Sequence, residues 1–168
     1  ITGNINIANL NGTHININFN DFKVINTSSD LPYTLILNNS SVANIIKLNL
    51  QGYQLSVINN SNVLLTESVM INTKQYQNAD CIRCWFGSCV AIADNTTMTL
   101  SHSDTRSSIY SSVGSIIGIG GGSTINDNSA DGLVLNAYRG GIIQSTAVTI
   151  NSTSATSANL AANTPTIN

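Results

Sequence analysis

Gly87-Ser88-Cys89-Val90, Gly114-Ser115-Ile116-Ile117 and Gly140-Gly141-Ile142-Ile143 follow one another at intervals of 27 and 26 residues. Each is a Gly, a small residue, any residue and an aliphatic. With Asn also allowed in the first place, the signature extends backward to Asn60-Ser61-Asn62-Val63, Asn39-Ser40-Ser41-Val42 and Gly12-Thr13-His14-Ile15, at steps of 27, 21 and 27 residues. A period in the range of about 20 to 50 residues marks a solenoid, in which each repeat buries its apolar face against its neighbours.

The residues around each turn say what the repeat is made of. Five positions before it stand Ile7, Thr34, Leu55, Ile82, Ile109 and Leu135, and three before it Asn9, Ile36, Val57, Cys84, Ser111 and Ala137. Positions two apart face the same way on a strand, so these short runs between Asn, Gly and Ser predict inward-facing strand residues, with Asn9 the poorest fit. A second turn follows eight residues later at Asn95-Thr96-Thr97-Met98 and Gly122-Ser123-Thr124-Ile125. Three short strands per repeat predict an all-β, parallel β-helix of about six coils, right-handed by the crossover rule. Ile15, Val42, Val63, Val90, Ile117 and Ile143 are expected in one interior stack, and Asn11, Asn38 and Asn59 in a polar ladder. Residues 1–144 form the helix in this reading, with loops at Ser101–Ser108 and Asn126–Asp131. Residues 145–168 then serve as a cap or strand-exchange segment.

Composition narrows the function. Charged residues make up 8% of 168 and the net charge is −2, which leaves no electrostatic footprint for nucleic acid. No apolar run approaches the roughly 20 residues of a membrane-spanning helix. The chain opens on Ile1 without a Met, as expected of a piece of a longer protein. Three cysteines, an odd number, suit folding in a reducing compartment. No cofactor is expected.

The coil signatures, the very low charge and the late run Ile116-Ile117-Gly118-Ile119-Gly120-Gly121-Gly122 resemble bacteriophage tailspikes and tail fibres with β-helical shafts. That resemblance implies a homotrimer assembled in the host cytoplasm, displayed on the virion tail and contacting a host surface polysaccharide. The same coil texture occurs in bacterial surface adhesins and in pectate-lyase-like enzymes.

Candidate sites follow from aligning the coils. Arg83, Tyr110 and Asn136 share one outward offset, and Trp85, Ser112 and Tyr138 another. Aromatic faces beside Asn and Arg suit sugar rings, and they equally suit a subunit interface. Glu67 and Asp94 share an offset on successive coils, near the roughly 5 Å carboxyl separation of a retaining glycosidase. Asp104 and Asp131 share another offset, within loops. Turn-capping is the plainer role for all four. Cys81, Cys84, Cys89 and His102 supply metal-ligand types at a spacing that fits no standard zinc motif, and Cys84 falls on an inward position. The leading expectation is a non-catalytic shaft contacting glycan. The alternatives are a depolymerase using Glu67 and Asp94, a bacterial adhesin and, more remotely, an ice-binding solenoid.

Overall fold

The computed structural model describes residues 4–10, 13–20, 23–25, 33–51, 53–67, 70–72, 80–101, 107–128 and 133–152. These residues form strands and no helix, and every strand pairing is parallel. The first sheet stacks β1 (Ile5–Ala8), β4 (Tyr33–Asn38), β7 (Tyr53–Val57), β10 (Ile82–Cys84), β13 (Ser107–Ser112) and β16 (Leu133–Tyr138). The second stacks β2 (His14–Asn18), β5 (Val42–Ile46), β8 (Asn62–Thr66), β11 (Cys89–Ile92), β14 (Ile116–Ile119) and β17 (Ile142–Ser145). The third face holds β3 (Lys23–Ile25), β6 (Asn49–Gln51) and β9 (Met70–Asn72), then β12 (Thr97–Leu100), β15 (Thr124–Asp127) and β18 (Thr149–Ser152). β12 lies against β9, so the chain visits the three faces in turn and climbs one rung per circuit. The protein is a parallel β-solenoid.

The register shows how the repeat builds its core. Ile5, Leu35, Leu55, Ile82, Ile109 and Leu135 form one interior column, and Ile7, Leu37, Val57, Cys84, Ser111 and Ala137 the next. The second sheet contributes Ile15, Ala43, Val63, Val90, Ile117 and Ile143. The expected positions thus hold from the third rung onward, Ile15 holds in the first, and the other positions of the first two rungs shift. Ala43 replaces Val42 in the stack, Leu35 and Leu37 replace Thr34 and Ile36, and Ile5 and Ile7 replace Ile7 and Asn9. Val42 points outward and is half-buried, whereas Ala43 is 1% exposed. The cause is one residue of phase in the second turn, which runs Ser40-Ser41-Val42-Ala43: Ser40, not Asn39, aligns with Asn60. A shift of one residue reverses every side chain on a strand, so the apolar residues decide the register.

The small second residue of the turn has a specific task. Ser41, Ser61, Ser88 and Ser115 are all buried. Ser41 donates its N–H to Ser61 Oγ, Ser61 to Ser88 Oγ and Ser88 to Ser115 Oγ, each at 3.2 Å. Thr96 and Ser123 repeat the bond at the second corner. Each hydroxyl thus satisfies a buried amide of the preceding rung that the strand ladder does not reach.

The loop boundaries expected near 101–108 and 126–131 also move. Ser107 and Ser108 begin β13 and are buried, and Asp127 ends β15 at 1% exposure, accepting from Ser108 Oγ at 2.6 Å and Ser152 Oγ at 3.1 Å. β18 pairs with β15 beyond residue 144, where the sequence reading ended the coils.

Candidate functional site

The outer side of the first sheet carries three of the aromatic residues, Trp85, Tyr110 and Tyr138. Arg83, Tyr110 and Asn136 are register partners on three successive rungs. Ser112 pairs with Tyr138, and Trp85 follows Cys84, the partner of Ser111, which sets Trp85 beside Ser112. Rungs lie about 4.8 Å apart, so these residues form a strip two columns wide.

The contacts within the strip change what each residue offers. The Arg83 guanidinium carbon lies 3.7 Å from the Trp85 ring centroid, and Phe86 stacks on the same indole at 4.9 Å and 26°. Arg83 and Phe86 thus both cover part of the Trp85 indole, and Phe86 itself is 46% exposed. At the far end of the strip the Arg139 guanidinium carbon stands 5.2 Å from the Tyr138 ring.

Among the described residues, Trp85 Nε1, Ser112 Oγ and Asn136 Oδ1 in the strip are buried without a hydrogen-bond partner. Asn136 uses its amide nitrogen on Ser107 Oγ at 3.1 Å, which leaves the oxygen idle. An unsatisfied buried polar group costs about 1–3 kcal/mol, and folds carry few of them.

The corner beside the strip has its own rule. Asn9, Asn39, Asn59, Phe86, Val113 and Arg139 all adopt positive φ, between 47° and 59°. Asn tolerates this left-handed region, and the early Asn side chains also bond one another: Asn59 Nδ2 donates to Asn38 Oδ1 at 2.8 Å and Asn39 Nδ2 to Asn9 Oδ1 at 3.0 Å. The expected ladder is displaced by one residue: Asn59 aligns with Asn39 and Asn9 and reaches Asn38 only diagonally, while Asn11 lies outside the described residues. Phe86, Val113 and Arg139 lack that tolerance, at a cost of about 1–2 kcal/mol each. Sequence reasoning passed over Phe86 and Val113, although both stand immediately before a turn glycine, where earlier rungs have Asn.

The remaining candidates lie elsewhere. Glu67 and Asp94 sit at the second corner two residues beyond the paired Leu65 and Ile92, and both are exposed. Glu67 has φ +55°, and Asp94 Oδ1 accepts the Gly121 amide at 2.8 Å, as a turn-capping carboxylate does. A Cβ on Gly120 would come within 2.5 Å of the Asp94 amide, so this close approach of rungs requires glycine. Beside it, Ala91, Gly118 and Gln144 floor an open groove of about 510 Å³. Asp104, Asp131 and His102 lie outside the described residues.

Cys81 and Cys84 are buried and Cys89 is half-buried, and none of the three forms a disulfide. Burial, reinforced by the neighbouring Cys89, pushes the Cys84 thiol up to about 12, and burial raises Cys89 as well. In both, burial favours the neutral thiol over the thiolate. Among the described residues no three His, Cys, Asp or Glu side chains converge on a metal site. No helix among them is long and apolar enough to cross a membrane.

The fold and the strip define the chain as a parallel β-solenoid with an aromatic and arginine-bearing outer wall. In comparisons with protein-family models, curated proteins and solved structures, no match was found.

Proposed function

We propose that this chain is a non-catalytic solenoid shaft that contacts a cell-surface glycan, of the kind carried by phage tail fibres and tailspikes. The observation that carries the reading is the coincidence, on one outer strip, of aromatic rings with the idle buried atoms Trp85 Nε1, Ser112 Oγ and Asn136 Oδ1. Sugars present apolar C–H faces and dense hydroxyls, and hydroxyls both donate and accept. They therefore match a wall with the exposed Phe86 ring, the half-buried Tyr138 ring and idle donors and acceptors. Trimeric assembly and display on a virion tail belong to the same proposal, on the strength of the coil signatures and the low charge, which limits repulsion between identical subunits. The non-catalytic part of the reading is supported by Asp94, whose carboxylate oxygen is engaged by the Gly121 amide.

The test is incubation of the full chain with capsule or lipopolysaccharide preparations. Binding is expected without release of oligosaccharides. Trp85→Ala, which removes the centre of the Arg83–Trp85–Phe86 stack, is expected to weaken it by about tenfold or more, a loss of about 1.4 kcal/mol. Oligosaccharide release that disappears in Glu67→Gln would replace this reading with the depolymerase.

A further inference from the structure

We propose that the Trp85, Ser112 and Asn136 side chains on the outer side of the first sheet form a subsite for the acetamido group of an N-acetylated amino sugar in a neutral glycan; this rests on the glycan-contact reading and names its substrate class.

The concentration of idle polar atoms supplies the first argument. Trp85 Nε1, Ser112 Oγ and Asn136 Oδ1 are buried without a hydrogen-bond partner, and among the described residues no other face of the solenoid buries such a side-chain atom. Folds carry few of these atoms, because each forfeits the hydrogen bond it would make in water. Their gathering at one place on an outer wall points to a ligand that spends them rather than to the needs of the fold.

Their placement supplies the second. Ser111 faces the core, so Ser112 faces outward, and yet Ser112 is 1% exposed. Its neighbours along the wall are Trp85 one rung before and Tyr138 one rung after, both half-buried. Ser112 thus floors a slot between two aromatic residues that stand about 9.6 Å apart, the rise of two rungs. The slot is covered by surface side chains and not by backbone, so a change of rotamer, common at binding surfaces, admits a ligand.

Donor and acceptor types supply the third. Trp85 Nε1 only donates, Asn136 Oδ1 only accepts, and Ser112 Oγ does either. Asn136 Nδ2 donates to Ser107 Oγ at 3.1 Å, which fixes the oxygen as the idle end of that amide. An acetamido group is planar and trans, so its N–H and C=O point in opposite directions. Such a group gives its N–H to Asn136 Oδ1, and its carbonyl oxygen, with two lone pairs, accepts from Trp85 Nε1 and Ser112 Oγ. Trp85 and Asn136 lie two rungs apart, a span that two hydrogen bonds of about 2.9 Å and the amide between them bridge. The acetamido methyl brings nothing polar among the rings, whereas each sugar hydroxyl carries surplus donors and acceptors into a buried slot. The Arg83 guanidinium is already engaged, 3.7 Å from the Trp85 ring centroid, and the idle atoms are uncharged, so a neutral sugar answers them.

The experiment is calorimetric titration of the full chain with an N-acetylglucosamine hexamer and a glucose hexamer of the same linkage, which has a hydroxyl in place of each acetamido group. The acetylated hexamer is expected to bind at least about tenfold more tightly. Ser112→Ala removes a buried hydroxyl that has no partner, so it is expected to raise Tm by about 2–4 °C while weakening the acetylated hexamer about tenfold. Such opposite movement distinguishes a ligand subsite from a merely structural serine. Trp85→Phe keeps a ring and removes the donor, and is expected to weaken the acetylated hexamer about tenfold and the glucose hexamer by less than about twofold. The inference is overturned by equal affinity for the two hexamers, by binding of neither, or by a preference for the acetylated hexamer that survives either substitution. It is also overturned if Ser112→Ala lowers Tm, or if it changes sedimentation and not binding, which would make the slot a contact between copies. Each of these outcomes removes the acetamido subsite alone. The glycan-contact reading falls separately, when capsule and lipopolysaccharide both fail to bind.

Discussion

Val90→Asp is expected to abolish folding. Val90 is 0% exposed and sits in the interior column between Val63 and Ile117. Losing the buried side chain removes about 1.5–3 kcal/mol. The carboxylate that replaces it meets only aliphatic neighbours in its column, and the penalty for an unpaired buried charge adds several kcal/mol more. The sum rivals the roughly 5–15 kcal/mol that stabilises a whole domain. Circular dichroism is expected to lose its β signature in this variant. Leu64→Asp, one rung earlier on the outer side and 39% exposed, is expected to shift stability by no more than about 0.5 kcal/mol. Equal damage from the two would mean that the inside and outside of the second sheet are misassigned.

Gly141→Ser gives the second large effect, against the intuition of the repeat. Ser41, Ser61, Ser88 and Ser115 fill the aligned position on the preceding rungs, and restoring the pattern looks stabilising. The structure predicts the opposite. A Cβ on Gly141 would overlap the backbone of Ser111, because the last rung closes against β13 there. Overpacking against backbone costs about 1–3 kcal/mol, and the destabilisation is expected in denaturant titration. Ser115→Gly is expected to cost a comparable amount for a different reason, since it orphans the buried Ser88 amide.

The repeat was legible because each turn must place a small residue at a buried position and an aliphatic two residues later, and few sequences do this by accident. The register of the first two rungs was not, because Asn39 and Ser40 can both open a turn and only pairing with the next rung selects Ser40. Asn9 looked like a poor core residue because the first corner is longer; Ile5 and Ile7 occupy the core, and Asn9 is the left-handed corner residue. On the outer wall, the alignment of Arg83 with Tyr110 and Asn136 followed from the period alone. The fate of the Trp85 faces did not, because stacking by Arg83 and Phe86 is a matter of rotamers that spacing leaves undetermined. Phe86 and Val113 carried a signal in their position before the turn glycine, one that takes its meaning from the backbone angle found there.

The chain contains a single tryptophan, Trp85, on the first rung of the proposed contact strip. Its fluorescence therefore reports on that strip without a label. Titration with bacterial surface polysaccharide is expected to change the emission saturably, with the polysaccharide recovered at its original chain length. Emission unchanged at saturating polysaccharide, or a polymer shortened by the incubation, would contradict the account.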